Sequence, residues 1–217
     1  MVCGRSTPDE GPARRGPLRR GRRDRPRVRR CPGRHHRRRP RPPGPRRQQA
    51  PAAPPAPTAT ASPRFSQKII ALNLTSALHV TQAANRVMQQ QEAGGSIISI
   101  GSLSGLRPSP GTAAYGAAKA GLLSLTTTLA MELAPKVRVN MVSAGMVRTE
   151  IFEDYYGGPE GAASVARTVP LQRVAEPADI GNAVAFLASP LAGFISGANL
   201  LVHGGGEQLA FFEHQRG

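Results

Sequence analysis

From Ser62 onward, apolar and polar positions alternate with regular periods. Ser62-Pro63 reads as an N-cap with proline at the first helical position. Phe65, Ile69, Leu72, Ala77, Val80, Ala84 and Val87 then recur at three-to-four spacing. That pattern predicts a helix of about 25 residues, ended by Gly94-Gly95. Ser96-Ile97-Ile98-Ser99-Ile100 reads as a short buried strand, and Thr112 to Ala134 as a long helix stopped by Pro135. Val137 to Val142 is a second strand. Residues 150–170 are mixed and partly aromatic, with a break at Gly157-Gly158-Pro159. A helix from Pro177 to Ala188 is entered through Glu176-Pro177. Asn199 to His203 is a third strand, closed by Gly204-Gly205-Gly206. Strands alternating with helices of this length predict an α/β fold with a parallel sheet under helical cover.

Residues 1–50 carry no such pattern. Their apolar residues are Met1, Val2, Cys3, Ala13, Leu18, Val28, Cys31 and Ala50, against 18 arginines, no lysine and three acids. So little apolar surface cannot offset an ordering cost of roughly 1–2 kcal/mol per residue. The proline runs Pro40 to Pro45 and Pro51 to Pro57 favour extended geometry. Residues 1–61 are therefore read as a disordered Arg/Pro-rich segment, and 62–217 as the folded part.

The whole chain has a net charge of +16, but residues 51–217 contain 11 basic and 10 acidic residues. A nucleic-acid surface is thus confined to the first segment, where an arginine arm would bind phosphates non-specifically by counterion release. Eighteen arginines without lysine are also what GC-rich codons give out of frame, and a misread segment is the preferred reading. A targeting peptide is the third reading, although the proline density opposes an amphipathic helix. Cys31, His35 and His36 lack a second cysteine pair and are not taken as a metal site. Two cysteines exclude a disulfide-stapled scaffold. No apolar core follows the N-terminal basic residues as in a secretory signal, which points to the cytoplasm. The longest uncharged stretch, Ile180 to Val202, is interrupted by Pro190, Gly193, Gly197 and Asn199, so no membrane helix is expected.

Tyr115-Gly116-Ala117-Ala118-Lys119 falls inside the long helix. A spacing of four places phenol and ammonium on one face. A free phenol ionises near pH 10 and is a poor base at neutrality; a neighbouring cation favours the phenolate. Tyr115 could then pass a proton to or from a substrate oxygen. The pair alone carries little weight, since Tyr and Lys at this spacing are common on surfaces. Ser102, 13 residues upstream and just past a strand end, adds a hydroxyl at the edge where open α/β sheets collect catalytic groups.

With these residues the sequence resembles the short-chain dehydrogenase/reductase family. The matching segments are Asn73-Leu74, Gly94 to Ser102, Ala114 to Gly121, Val137 to Asn140, and Gly197 to Gly205, spanning about residues 62–206. The resemblance implies a doubly wound, Rossmann-like sheet. It implies that Tyr115 is the general acid/base, that Lys119 lowers its pKa and holds the nicotinamide ribose, and that Ser102 hydrogen-bonds the substrate oxygen. It also implies that Asn73 anchors a water linking Lys119 to solvent. Ala144 to Thr149 match the loop that receives the nicotinamide, with Gly145, Val147 and Thr149 as cofactor contacts. Two departures stand out: Ala144-Gly145 replaces the usual Pro-Gly, and His203 stands where Asp is common. His203 is read as a strand-end structural residue.

The family's cofactor half begins with a strand, a glycine-rich turn and a helix N-terminus that cradles the pyrophosphate. No such turn is found in residues 1–61. The Asn-Asn-Ala-Gly segment expected some 25 residues before Asn73 is replaced by Arg46-Arg47-Gln48-Gln49-Ala50. Codons AAC AAC read one nucleotide early, after a C, give Gln-Gln. Residues before about 50 are accordingly read as a frameshifted remnant of the cofactor half. An incomplete sheet would leave the strand at Ile97–Ile100 as an exposed hydrophobic edge.

The expected function is an NAD- or NADP-dependent, ketoreductase-like oxidoreductase acting on a small carbonyl or alcohol substrate, inactive as a truncated chain. The alternative is a basic-tailed nucleic-acid-binding protein with a non-catalytic scaffold. A hydrolase reading of His203-Gly204-Gly205-Gly206 needs a downstream Gly-x-Ser-x-Gly, and only 11 residues follow Gly206. Phe152, Tyr155 and Tyr156 occupy the place of the family's substrate lid and suggest an apolar substrate. The resemblance further implies a homotetramer or homodimer with the Tyr115 helix and the last strand at interfaces.

Overall fold

The computed structural model describes residues 46–48, 55–150, 152 and 156–207. The arginine arm, with Cys31, His35 and His36, lies outside them apart from Arg46 and Arg47, as does Tyr155. Four parallel strands form one sheet: β1 (Arg46–Gln48), β2 (Gly95–Ser102), β3 (Val137–Ala144) and β4 (Asn199–Val202), in that order. Helices α2 (Ser76–Met88) and α3 (Ala113–Glu132) cover one face, and α1 (Pro63–Ile70) packs against α3. On the other face α5 (Pro177–Ala188) packs; α4 (Gly158–Thr168) belongs to a separate small cluster.

The local signals explain these boundaries. Ser62 Oγ accepts the Phe65 N–H at 3.2 Å, capping α1, with Pro63 at its first position. At the start of α5 the Asp179 carboxylate accepts the Glu176 N–H at 2.8 Å. Asn140, fully buried on β3, donates to Ile195 O at 2.8 Å and accepts from Ala198 N–H at 3.0 Å. It ties the approach to β4 down against the sheet. The uncharged stretch from Ile180 is divided among α5, a 3₁₀ turn at Pro190–Ala192 and β4. Among the described residues, no helix is long and apolar enough to cross a membrane.

The structure departs from the sequence expectations at three places. A π-helical turn, Ala71–Thr75, joins α1 to α2 without a break. This one-residue insertion in the turn shifts the buried stripe to Ile69, Asn73, Ala77, Thr81, Ala84 and Met88. Leu72, Val80 and Val87, three of the apolar positions that predicted the helix, face outward. Second, the β2 edge is not open: Arg46, Arg47 and Gln48 pair in register with Ile97, Ile98 and Ser99. Third, Pro55 to Ala61 are not outside the fold, since Ala56 N–H donates to Gly111 O at 2.8 Å and a turn follows at Thr58–Thr60.

Candidate active site

β2, β3 and β4 end at one edge. Ser102 closes β2 opposite Ala144, and Ala144 lies opposite Val202. Parallel strands feeding helices collect their following loops there: Ser102 ends β2, Gly145, Val147 and Thr149 follow β3, and Tyr115 and Lys119 stand on the helix that the β2 loop enters.

Ser102 Oγ accepts the Ser104 N–H at 3.2 Å, capping a short 3₁₀ turn, Leu103–Gly105. That turn lies directly on α3. A Cβ at Gly105 would come within 2.7 Å of the Lys119 carbonyl carbon, so only glycine permits the approach. Ser109 continues the ordering: its hydroxyl donates to Ser104 Oγ at 3.1 Å and lies 2.6 Å from Thr112 Oγ1. The loop between Ser102 and α3 is thereby stapled at both ends. Sequence reasoning passed over Gly105 and Ser109, although the run Ser102-Leu103-Ser104-Gly105 with Ser109 held the signal: small residues and repeated hydroxyls.

The staple brings Ser102 to Tyr115, close enough for its hydroxyl to favour the phenolate. Lys119 lies one helical turn farther on, 2% exposed, with Nζ 5.5 Å from the centre of the Tyr115 ring. Its ammonium donates to the Ile100 carbonyl at 2.9 Å. Burial pushes the Lys119 pKa down to about 8. Burial raises the Tyr115 phenol above its ordinary value, and the Ser102 hydrogen bond opposes the rise. This differs from the expectation that Lys119 draws the phenol down: the ammonium stands over the ring face, and desolvation outweighs the influences that favour the phenolate.

Asn73 occupies the π-helical turn, 1% exposed. Its Nδ2 donates to Ile69 O at 3.1 Å, and Oδ1 has no protein partner. Gly145 N–H donates to Val202 O at 3.0 Å, fixing the loop after β3 to β4. Val147 forms a parallel bridge with Ala175, and Arg148 N–H donates to Ala175 O at 2.8 Å. Thr149 is exposed, its carbonyl accepting from Phe152 N–H at 3.0 Å. His203 Nδ1 accepts the Gly205 N–H at 3.2 Å, closing the turn after β4. Ser102, Tyr115, Lys119 and Asn73 thus gather around α3, and Gly145, Val147 and Thr149 line the next loop along the edge. Phe152 and Tyr156 do not present an apolar wall to a cleft: Phe152 is buried with Ala162 and Val174, 4.7 Å from the Tyr156 ring.

Fit to a nicotinamide dinucleotide is uneven. The Lys119 ammonium, the unpartnered Asn73 oxygen and the anchored loop at Gly145 suit the nicotinamide-ribose end. Among the described residues no glycine-rich turn joins a strand to a helix N-terminus, so nothing there matches the pyrophosphate.

A family model described as Enoyl-(Acyl carrier protein) reductase matches residues 49–207. The chain belongs to the short-chain dehydrogenase/reductase family. It is 41% identical over 138 residues to a 3-oxoacyl-(acyl-carrier-protein) reductase, FabG, of Haemophilus influenzae, covering 63% of this chain and 56% of that protein. It is 39% identical over 139 residues to L-rhamnose 1-dehydrogenase (NAD(P)(+)) of Azotobacter vinelandii, with coverages of 64% and 54%. Among solved structures, a 4-hydroxyisoleucine dehydrogenase complexed with NADH superposes with a TM-score of 0.64 at 30% identity, over 73% of this chain and 66% of that one. The chain spans about half the length of the curated relatives it matches. The family assignment establishes the Rossmann-like α/β fold and an oxidoreductase lineage that uses a nicotinamide cofactor.

Proposed function

We propose that residues 62–217 are the catalytic part of an NAD(P)-dependent oxidoreductase acting between a carbonyl and an alcohol carbon, with Tyr115 as general acid/base. The observation that supports this most directly is the joint placement of Ser102, Tyr115 and Lys119 at the carboxyl edge. A bound nicotinamide supplies or accepts the hydride. In the reducing direction the Tyr115 hydroxyl gives its proton to the substrate oxygen as negative charge develops there, and Ser102 Oγ donates to the same oxygen. Lys119 would hold the ribose hydroxyls, and Asn73 would support return of a proton to Tyr115. Gly145, Val147 and Thr149 receive the nicotinamide end.

We further infer that the chain on its own is inactive, because the pyrophosphate grip is missing from the part described. The family match starting at Gln49 supports a change of reading frame just upstream. Exposed Leu201 on β4 and exposed Val80 and Val87 on α2 support self-association in a completed domain.

The test is a hybrid in which the N-terminal half of a relative, with its glycine-rich turn, precedes residue 62. It should reduce carbonyl substrates with NADH or NADPH. Tyr115→Phe in that hybrid should lower turnover by about 10²–10⁴-fold while leaving dinucleotide binding nearly unchanged. Full turnover in Tyr115→Phe removes the assignment.

A further inference from the structure

The turn after β4 is closed by a histidine. His203 Nδ1 accepts the Gly205 N–H at 3.2 Å, and its carbonyl accepts the Gly206 N–H at 3.1 Å. Gly204, Gly205 and Gly206 have φ of 65°, 97° and 94°, values that glycine adopts without strain. The turn is packed on both sides. A Cβ at Gly145 would fall 2.8 Å from His203 Cβ, and one at Gly205 would fall 2.9 Å from Pro170 Cβ. Gly204 O accepts the Leu171 N–H at 3.1 Å. Just past the turn, Glu207 pairs with Arg107. Arg107 belongs to the loop that leaves β2 and Glu207 to the segment that leaves β4, so the pair ties together the two strands flanking β3.

A neutral imidazole has one acceptor nitrogen and one N–H, whereas an imidazolium has two N–H groups and no acceptor. The bond from Gly205 therefore exists only on the neutral ring, with its proton on Nε2. Histidine is the side chain whose charge ordinarily changes between pH 5 and 8. An aspartate, common at this place in the family, bonds a backbone N–H two residues on without that dependence, because a carboxylate accepts throughout the range. The elements packed against the turn bring three ion pairs. Glu207 is paired with Arg107, Arg148 beyond Gly145 with Glu176, and Arg173 beyond Leu171 with Asp179.

We propose that His203 is a positioning residue for this edge: its neutral ring holds the turn that sets Glu207 against Arg107, and protonation of the ring releases both. The edge is then fastened above the range in which imidazole charges and loosened below it. His203 rests on Gly145, which belongs to the proposed nicotinamide loop, and only that link to catalysis depends on the functional reading. A His203 that merely fills space would respond to the size of its replacement and not to pH.

The experiment uses the ¹⁵N-labelled full chain and nuclear magnetic resonance. There are five histidines, His35, His36, His79, His203 and His214, so the ring signal lost in His203→Asn assigns the residue. At pH 8 its Nδ1 should be the unprotonated nitrogen and Nε2 the N–H. From pH 8 to pH 5.5, protection of the Gly205 amide against exchange, corrected for the intrinsic rate, should fall about five-fold, as loss of one ordinary hydrogen bond gives. The Arg107 Nε–H signal, identified by its loss in Arg107→Lys, should move in the same step. His203→Asp leaves every neighbouring ion pair in place and should keep the protection at both pH values, while His203→Ala should lack it at both. A flat profile in the unsubstituted chain, an equal fall in His203→Asp, an unmoved Arg107 signal or an Nδ1–H ring at pH 8 overturns the proposal. Should the substituted chains not fold, the tautomer and the pH profile of the unsubstituted chain decide alone. A hybrid enzyme without hydride transfer would sink the functional reading and leave these signals standing.

Discussion

The Lys119 ammonium stands 5.5 Å from the centre of the Tyr115 ring, and the hydrogen bond it makes is to a backbone carbonyl, Ile100 O at 2.9 Å. A buried cation held this way loses its proton early, and its pKa falls to about 8. In the unfolded chain a lysine keeps its proton to about pH 10.4. Between these values the folded state binds fewer protons, so stability rises with pH from about 8 to about 10. The depression is worth roughly 3 kcal/mol at most. The Tyr115 phenol titrates above its ordinary value when folded, so above pH 10 the unfolded chain ionises first and stability declines again. Urea midpoints at pH 7.5, 9.5 and 11 should show this rise and fall. Lys119→Met should abolish the rise; a slope that persists in it would place the titration elsewhere.

Ser102 is the group that favours the Tyr115 phenolate, so Ser102→Ala should move the phenol titration upward. Phenolate absorbance in the ultraviolet reads this directly, with Tyr115→Phe identifying the responsible signal among three tyrosines. A downward shift would mean that the hydroxyl does not donate to the phenolate.

Asn140→Ala removes a donor to Ile195 O and an acceptor for Ala198 N–H from a fully buried position. Leaving those backbone groups unpaired costs about 2–4 kcal/mol. Urea denaturation should show a loss of that size. A loss below about 0.5 kcal/mol would show the connection to β4 to be held by other contacts.

The legibility of this chain divides along physical lines. Pro177–Ala188 could be bounded from sequence because proline at the first helical position and the Asp179 side chain are local signals. The helix from Ser62 was also visible, but its inward face was not. Inserting one residue at Ala71–Thr75 rotates everything beyond it, so Asn73 and Thr81 turn inward where Leu72 and Val80 had marked the apolar stripe. Tyr115, Lys119 and Ser102 were legible as residue types at fixed spacing. The burial that sets their protonation was not, because it depends on where a strand and a helix meet. Arg46-Arg47-Gln48 carry no strand propensity worth reading. Their pairing comes from the unpaired amides and carbonyls of β2, a tertiary demand.

Phe152 anchors a small cluster with Ala162 and Val174, packed by Met146, Tyr156 and Val165. This cluster shares no buried residue with the sheet core, so it should open independently. Phe152→Ala should cost about 3–5 kcal/mol locally. Hydrogen exchange should then accelerate for amides of Gly158–Thr168 while those of Ile97 and Ile98 keep their protection. Equal acceleration in both would mean that the two clusters form one cooperative unit.

The last prediction concerns dinucleotide binding by the chain as it stands. A pyrophosphate is held by backbone N–H groups at a helix N-terminus, where the turn brings them to within hydrogen-bond distance. The described residues offer Lys119, Asn73 and the Gly145 loop to the nicotinamide-ribose end and no such turn to the phosphates. Eighteen arginines precede residue 50 and supply charge. Purified full chain should therefore show no saturable micromolar binding of NADH or NADPH at physiological salt. Any attraction should be shared by inorganic polyphosphate and should fade as salt screens it, with a Debye length of about 8 Å at 0.15 M. A fluorescence titration with both dinucleotides at two salt concentrations, with polyphosphate as competitor, measures this. Tight, salt-insensitive binding of one dinucleotide would mean that the arginine-rich segment itself builds a cofactor site, and the frameshift account would fall with it.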